Sequence, residues 1–226
     1  PASARRTTIA LKTLMAGSGL VFVGYVLLHM YGNLKTLAGE EAFNTYAEHL
    51  RTFGEPILPY EGLLWIIRVV LVVAVIGHIY AAFSLWSRAG TARRTKYAAT
   101  KTAMRTAWMR WGGVFLLLFI IWHLLHFTIL KISVNPDAQG PNVESNPYQL
   151  VVASFQVPWM TLIYLLALGA LALHLAHGVF SAQQTLGLTG SAAGYRRAKV
   201  IGHVTAAVVA VGFAIPPILI LFGLIK

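Results

Sequence analysis

Apolar residues in this chain gather into five long runs, and within each run they fill consecutive positions instead of alternating with polar ones. The runs cover about 9–34, 62–86, 108–130, 158–183 and 200–225. Each is as long as the roughly 20 residues a helix needs to cross a bilayer. The stretch VFLLLFII, Val114–Ile121, shows no period of two, which excludes the strands of a membrane barrel. Helices are then the remaining way to satisfy the backbone in lipid. The expected fold is all-α: one transmembrane domain over residues 1–226, an integral membrane bundle of five helices. The first run follows Arg5, Arg6 and Lys12, as a signal peptide's apolar region would, but it is too long for one and reads as a retained anchor.

The polar connections differ in character. The first between runs, EEAFNTYAEHLRTFGEP, opens with a helical pattern over about 40–51 that puts Phe43, Tyr46, Ala47 and Leu50 on one face, and it stops at Gly54 and Pro56. It predicts a short amphipathic helix lying on the membrane surface. The third, NPDAQGPNVESNP, is rich in Pro, Asn and Gly and predicts irregular structure.

Charge orients the bundle. Arg5, Arg6 and Lys12 precede the first run, and Arg88, Arg93, Arg94, Lys96, Lys101, Arg105 and Arg110 surround the second connection. Arg196, Arg197 and Lys199 occupy the fourth. All seven acids, Glu40, Glu41, Glu48, Glu55, Glu61, Asp137 and Glu144, fall in the first and third connections. By the positive-inside rule the N-terminus is expected in the cytoplasm and the C-terminus outside. The net charge of +11 taken alone would suggest nucleic acid, but 57% hydrophobic residues and only 11% charged ones make a lipid membrane the partner and exclude a soluble globule.

With no Cys there is no disulfide framework, and an iron–sulfur cluster would need thiolates from another chain. Histidine is the conspicuous residue. Seven of the eight, all but His49, lie in the apolar runs, where an ionisable side chain is costly and points to function. At 1.5 Å of rise per residue, His123 lies roughly 22 Å from the inner side, and His78 and His174 each lie roughly 24 Å from the outer side. His29 comes near the outer end of the first helix. The four fall into an outer layer, His29 with His123, and an inner layer, His78 with His174. Paired imidazoles on facing helices suit a metal held between them, and a low-spin haem b with two axial His is the common membrane example. Gly17, Gly19, Gly24, Gly77, Gly112, Gly113, Gly169, Gly178 and Gly202 supply room for a ring or close helix packing. His126 and His177 follow His123 and His174 by three residues on the same faces, as additional ligands, hydrogen-bond partners or proton-handling groups. His203 reads as a polar contact and His49 as a solvated surface residue.

The segments LLHMYGN, GHIYAAFSLW, WHLLHFT and HLAHGVFSAQQTLGLT, around His29, His78, His123 and His174, carry a resemblance, with the basic stretch TKTAMRTAWMRWGG before the third helix. Together they resemble the single cytochrome b membrane-anchor subunit of bacterial succinate dehydrogenases and fumarate reductases, over nearly the whole chain. The resemblance implies two stacked b haems (heme b), the outer on His29 and His123 and the inner on His78 and His174. It also implies a flavoprotein subunit and an iron–sulfur subunit on the cytoplasmic face, electron transfer from succinate to a quinone, typically menaquinone, and a place in the cell's inner (plasma) membrane. The extra histidines His126 and His177 depart from a four-ligand pattern, leaving open a single haem or an iron–sulfur cluster shared with a partner. A higher oligomer of the complex is also left open.

A quinone site needs a hydrogen-bonding group beside an apolar slot. Glu61, Trp65 and Arg68 are the outer candidates and Tyr80, Trp86 and His203 the inner ones. The competing readings are a b-haem subunit of another quinone-linked dehydrogenase, a proton-coupled transporter, whose usual internal repeats and broken helices are not evident, and a haem-free anchor.

Overall fold

The computed structural model describes residues 7–91, 101–135 and 146–226, with the backbone alone at residues 91 and 101–106. Arg5, Arg6, Arg93, Arg94, Lys96, Asp137, Glu144 and most of the third connection lie outside the described residues, as do the side chains of Lys101 and Arg105. The described chain forms α1 (Thr8–Leu34), α2 (Glu40–Thr52), α3 (Gly62–Thr91), α4 (Lys101–Phe127), α5 (Pro147–Phe155), α6 (Pro158–Thr185) and α7 (Ala192–Leu221). Five of these, α1, α3, α4, α6 and α7, are long and apolar enough to cross a membrane. The chain is a multi-pass membrane protein built as an all-α bundle.

Helix ends follow local chemistry. The Thr7 side chain accepts from Ala10 N at 3.1 Å to start α1, and Ser191 accepts from Gly194 N at 3.0 Å to start α7. Because of that cap, α7 begins eight residues before the run of about 200–225, so Arg196, Arg197 and Lys199 ride on its first turns and not in a connection. At its other end α7 stops at Leu221, short of 225, where Gly223 turns the chain with φ +70°. Helix α4 ends at Phe127 rather than near 130, because the chain reverses through Leu130 at φ +56°. A helix not anticipated, α5, starts at Asn146, whose side chain accepts from Gln149 N, with Pro147 at the first helical position.

The crossings form an open square. α1 packs along α3 and α6, and α4 packs along α6. Among the described residues α3 and α4 do not pack along each other, and they meet through Trp86 and Trp111 near one end, ring centroids 6.0 Å apart. α7 lies behind the α1–α6 edge in the most extensive packing among the described helices. Its buried residues Ala198, Gly202, Ala206, Val209, Gly212, Pro216 and Ile220 recur at helical spacing, and a Cβ on Gly202 would come within 2.6 Å of the Ala176 carbonyl oxygen on α6.

Helices α2 and α5 cover one end of the square, the cap end. Half-buried Phe43, Tyr46, Ala47 and Leu50 lie on one side of α2 while Glu41, Thr45, Glu48 and His49 are exposed, as an amphipathic surface helix requires. A polar seam joins the two caps. Asn44 donates to Asn146 Oδ1 at 2.9 Å, Asn146 and Gln149 donate to the Glu40 carboxylate, and Tyr148 N donates to Asn44 Oδ1 at 3.1 Å. Apart from Gln149, every residue of α5 after Pro147 is buried, and Tyr148, Val151, Val152 and Phe155 form one core cluster with Met160, Tyr164 and Ile220. The opposite end, which carries Arg88 near the end of α3 and Arg110 on α4, is called the basic end below.

Candidate functional site

The square brings four histidines together in two pairs. His29 on α1 faces His123 on α4 with ring centroids 5.9 Å apart and planes at 81°. His78 on α3 faces His174 on α6 at 6.2 Å and 55°. Each pair joins diagonal corners of the square, His29 and His123 nearer the cap end and His78 and His174 nearer the basic end. Two metal–nitrogen bonds of about 2 Å, added to the offset of each ring nitrogen from its ring centre, separate such centroids by roughly 6 Å. The centroid separations of both pairs match that spacing.

The surroundings fit that use as well. Ser18 Oγ lies 3.1 Å from His78 Nδ1, and Tyr164 Oη lies 3.0 Å from His123 Nδ1. In the tautomer whose Nδ1–H donates to the hydroxyl, each contact occupies Nδ1 and would leave Nε2 available to a metal, the arrangement in which a neighbouring group orients a ligating imidazole. His174 Nδ1 is buried with no hydrogen-bond partner among the described residues. His29 stacks on Tyr25, centroids 5.4 Å apart, and packs against Phe213. Two glycines lie against these rings: a Cβ on Gly19 would stand 3.6 Å from His78 Cε1, and one on Gly113 would stand 3.6 Å from His174 Cε1, both at ordinary contact distance. The other interior glycines differ in role. Gly202 is a helix contact, Gly77 abuts Leu14, and Gly17, Gly24, Gly112, Gly169 and Gly178 would have a Cβ touching nothing within 4 Å.

The remaining histidines stand apart. His126 is fully buried and both its ring nitrogens are engaged, Nδ1 with the Ile132 carbonyl at 3.0 Å and Nε2 with Ser154 Oγ at 2.8 Å. In this arrangement it has no nitrogen to offer a metal, and it clasps the turn after α4 to α5. The Trp122 indole lies parallel to its ring. His177 is half-buried, one turn beyond His174 on α6. His203 is exposed and its Nδ1–H donates to the Lys199 carbonyl of its own helix at 2.7 Å. His49 is exposed on α2 beside Phe53.

The quinone candidates divide by end. At the cap end Glu61, Trp65 and Arg68 converge: Arg68 Nη1 is 3.3 Å from Glu61 Oε2, and its guanidinium lies 4.9 Å over the Trp65 ring. Arg51 of α2 reaches the other Glu61 oxygen at 3.5 Å. Nearby, Tyr60 donates to Glu48 Oε2 at 3.4 Å, and loss of solvent together with the Glu48 charge raises its hydroxyl above the ordinary phenol range. At the basic end the three candidates do not meet. Tyr80 is exposed on α3, and His203 lies on α7, which does not pack along α3. Trp86 instead stacks on Phe83, meets Trp111 edge-on and carries Arg110 at 5.0 Å over its ring.

The sequence reasoning missed Ser18, Tyr164 and Arg51. Depth was the available signal for the first two. Ser18 precedes His29 by eleven residues and Tyr164 precedes His174 by ten, so at 1.5 Å per residue each stands about 15 Å from the histidine of its own helix, at the level of the other pair.

The sequence model of one family, described as the succinate dehydrogenase/fumarate reductase transmembrane subunit, matches residues 86–214, from the end of α3 into α7. No curated protein and no solved structure matches the chain.

Proposed function

The chain belongs to the succinate dehydrogenase/fumarate reductase transmembrane-subunit family, and from that membership we propose that it conducts electrons between an iron–sulfur partner and a quinone through two b haems. His29 and His123 hold one, His78 and His174 the other. The observation that carries this reading is the pair of diagonal imidazole contacts, at 5.9 and 6.2 Å, one per layer. Haem b supplies a one-electron couple at iron, whose potential the protein sets by ligand, burial and hydrogen bonding.

The chain's own residues do the rest. The four histidines would hold two centres, one nearer each end of the bundle. Ser18 and Tyr164 hold one imidazole of each pair in the tautomer that presents Nε2. The cap of α2 and α5 closes the bundle over His29 and His123 and excludes water. The basic end faces the cytoplasm, by the same charge rule that orients the chain, and docks the iron–sulfur subunit, which carries the flavoprotein. The His78–His174 centre is then the first to receive electrons. The membrane is the cell's inner (plasma) membrane.

The convergence of Glu61, Arg51, Arg68 and Trp65 supports a quinone, menaquinone in this reading, at the cap end. There the carboxylate can exchange protons with the quinone oxygens, and the two guanidinium groups stand within ion-pair distance of it. Electrons would then cross the membrane from the basic end to the cap end.

A reduced-minus-oxidised spectrum of the purified complex tests the cofactor, with two b-type components expected. His78→Ala or His174→Ala should remove one component and abolish quinone reduction, while succinate oxidation by an artificial acceptor continues. Quinone reduction that survives both substitutions would overturn the proposed route.

A further inference from the structure

The two halves of the square repeat one contact. On α1, Gly19 lies against His78 of α3, a Cβ there standing 3.6 Å from Cε1 and 3.9 Å from Nδ1. On α4, Gly113 lies against His174 of α6, at 3.6 Å from Cε1 and 4.0 Å from Nδ1. Each glycine stands ten residues before the other histidine of its helix, Gly19 before His29 and Gly113 before His123. The α1–α3 pair and the α4–α6 pair are thus equivalent in register, and equivalent positions can be compared directly.

One comparison differs. The residue before Gly19 is Ser18, buried and in contact with His78 Nδ1; the residue before Gly113 is Gly112. Ser18 has a single hydroxyl proton, and it is committed to the Leu14 carbonyl one turn back at 2.7 Å, with Met15 O at 3.2 Å. The Ser18 oxygen then accepts from His78 Nδ1–H, with the Met15 carbonyl a second acceptor facing the His78 ring. His174, facing the glycine, has a buried Nδ1 with no hydrogen-bond partner among the described residues.

We propose that Ser18 is a positioning residue that makes His78 the stronger electron donor of its pair, and that Gly112 is where the equivalent hydroxyl for His174 is missing. The proposal rests on the two-haem reading above. A hydrogen bond from Nδ1–H to an acceptor increases the electron density the imidazole offers through Nε2 and stabilises the oxidised metal, which lowers its potential. One hydroxyl rather than two sets the basic-end centre at an intermediate value, and the substitution available at Gly112 makes this testable in both directions. A Cβ at Gly112 meets nothing within 4 Å, so a serine fits there, with the Trp108 carbonyl one turn back to take its proton as Leu14 does for Ser18.

The experiment is a redox titration, with electron paramagnetic resonance of each centre, on the purified complex carrying Ser18→Ala, Ser18→Thr, Gly112→Ser or both Ser18→Ala and Gly112→Ser. The basic-end centre is identified as the one lost in His174→Ala. Ser18→Ala should shift its potential upward and Gly112→Ser downward. Ser18→Thr, which keeps the hydroxyl, should stay near the wild-type value, and the double variant should return towards it. The potential of the cap-end centre should not move in any of them. Two haems whose potentials ignore Ser18 and Gly112, or a shift of the same sign in both single variants, would overturn this inference and leave the haem reading standing. A wild-type complex with no b-type component would overturn both. If Ser18→Ala does not assemble, Gly112→Ser and Ser18→Thr still decide the matter, because a purely structural role for the serine predicts no downward shift in the first.

Discussion

His126 illustrates how a buried polar side chain earns its place by making bonds. Its two nitrogens tie the Ile132 carbonyl, in the turn after α4, to Ser154 on α5, whose hydroxyl also lies 2.5 Å from Leu150 O. Removing the ring strands a buried carbonyl and leaves a cavity beside Trp122 and Phe127. His126→Ala should therefore destabilise the assembled chain by about 3 kcal/mol, read as a lower melting temperature in detergent, while both b-type spectral components remain. The four paired histidines were legible in the sequence because helical rise converts residue number into depth and a membrane makes depth meaningful. His126 was legible as an oddity only. Its partners are a carbonyl six residues on and a serine on a helix 28 residues away, and nothing in local sequence ties them to it. Ser18 was hidden for another reason: a serine in a membrane helix usually bonds its own backbone, and here it does that and accepts from His78 as well.

Among the described helices, α6 and α7 share the most extensive packing, and Gly202 lies within it against backbone. With the Ala176 oxygen 2.6 Å from where a Cβ would stand, the conflict is with backbone and cannot be relieved by a rotamer change. Gly202→Ala should cost about 1–3 kcal/mol and lower the yield of folded chain in membranes. Gly19→Ala, whose Cβ would sit at ordinary contact distance from His78, should be tolerated. The five crossings were readable from continuous apolar runs, since lipid demands length and apolarity and little else. Helix α5 was not. Its nine residues, PYQLVVASF, are too few to span and too apolar for a surface loop, and they are helical because the cap end offers a groove in which to bury them. The early start of α7 was equally hidden, because a helix capped by Ser191 can leave the membrane while still carrying Arg196, Arg197 and Lys199.

Across the whole molecule, the square is held along three edges and the fourth, between α3 and α4, is tied among the described residues mainly by Trp86 and Trp111. A metal group bound between diagonal corners would brace it where side-chain packing does not. Complex prepared from cells unable to make haem should therefore show a melting temperature several degrees lower than the loaded complex, and adding haem should restore it. An unchanged melting temperature would mean that α3 and α4 are held in place by other contacts. The diagonal pairing also has a consequence in time. The chain is made and inserted in order, and its first two crossings, α1 and α3, deliver one ligand to each layer and complete neither. The layer of His29 and His123 can close only after α4 has entered the membrane, and that of His78 and His174 only after α6. If the pairs hold the two haems proposed, the cap-end site is the first whose histidines are both present, and a ribosome stalled between α4 and α6 would hold a chain with both histidines of that site and one of the other.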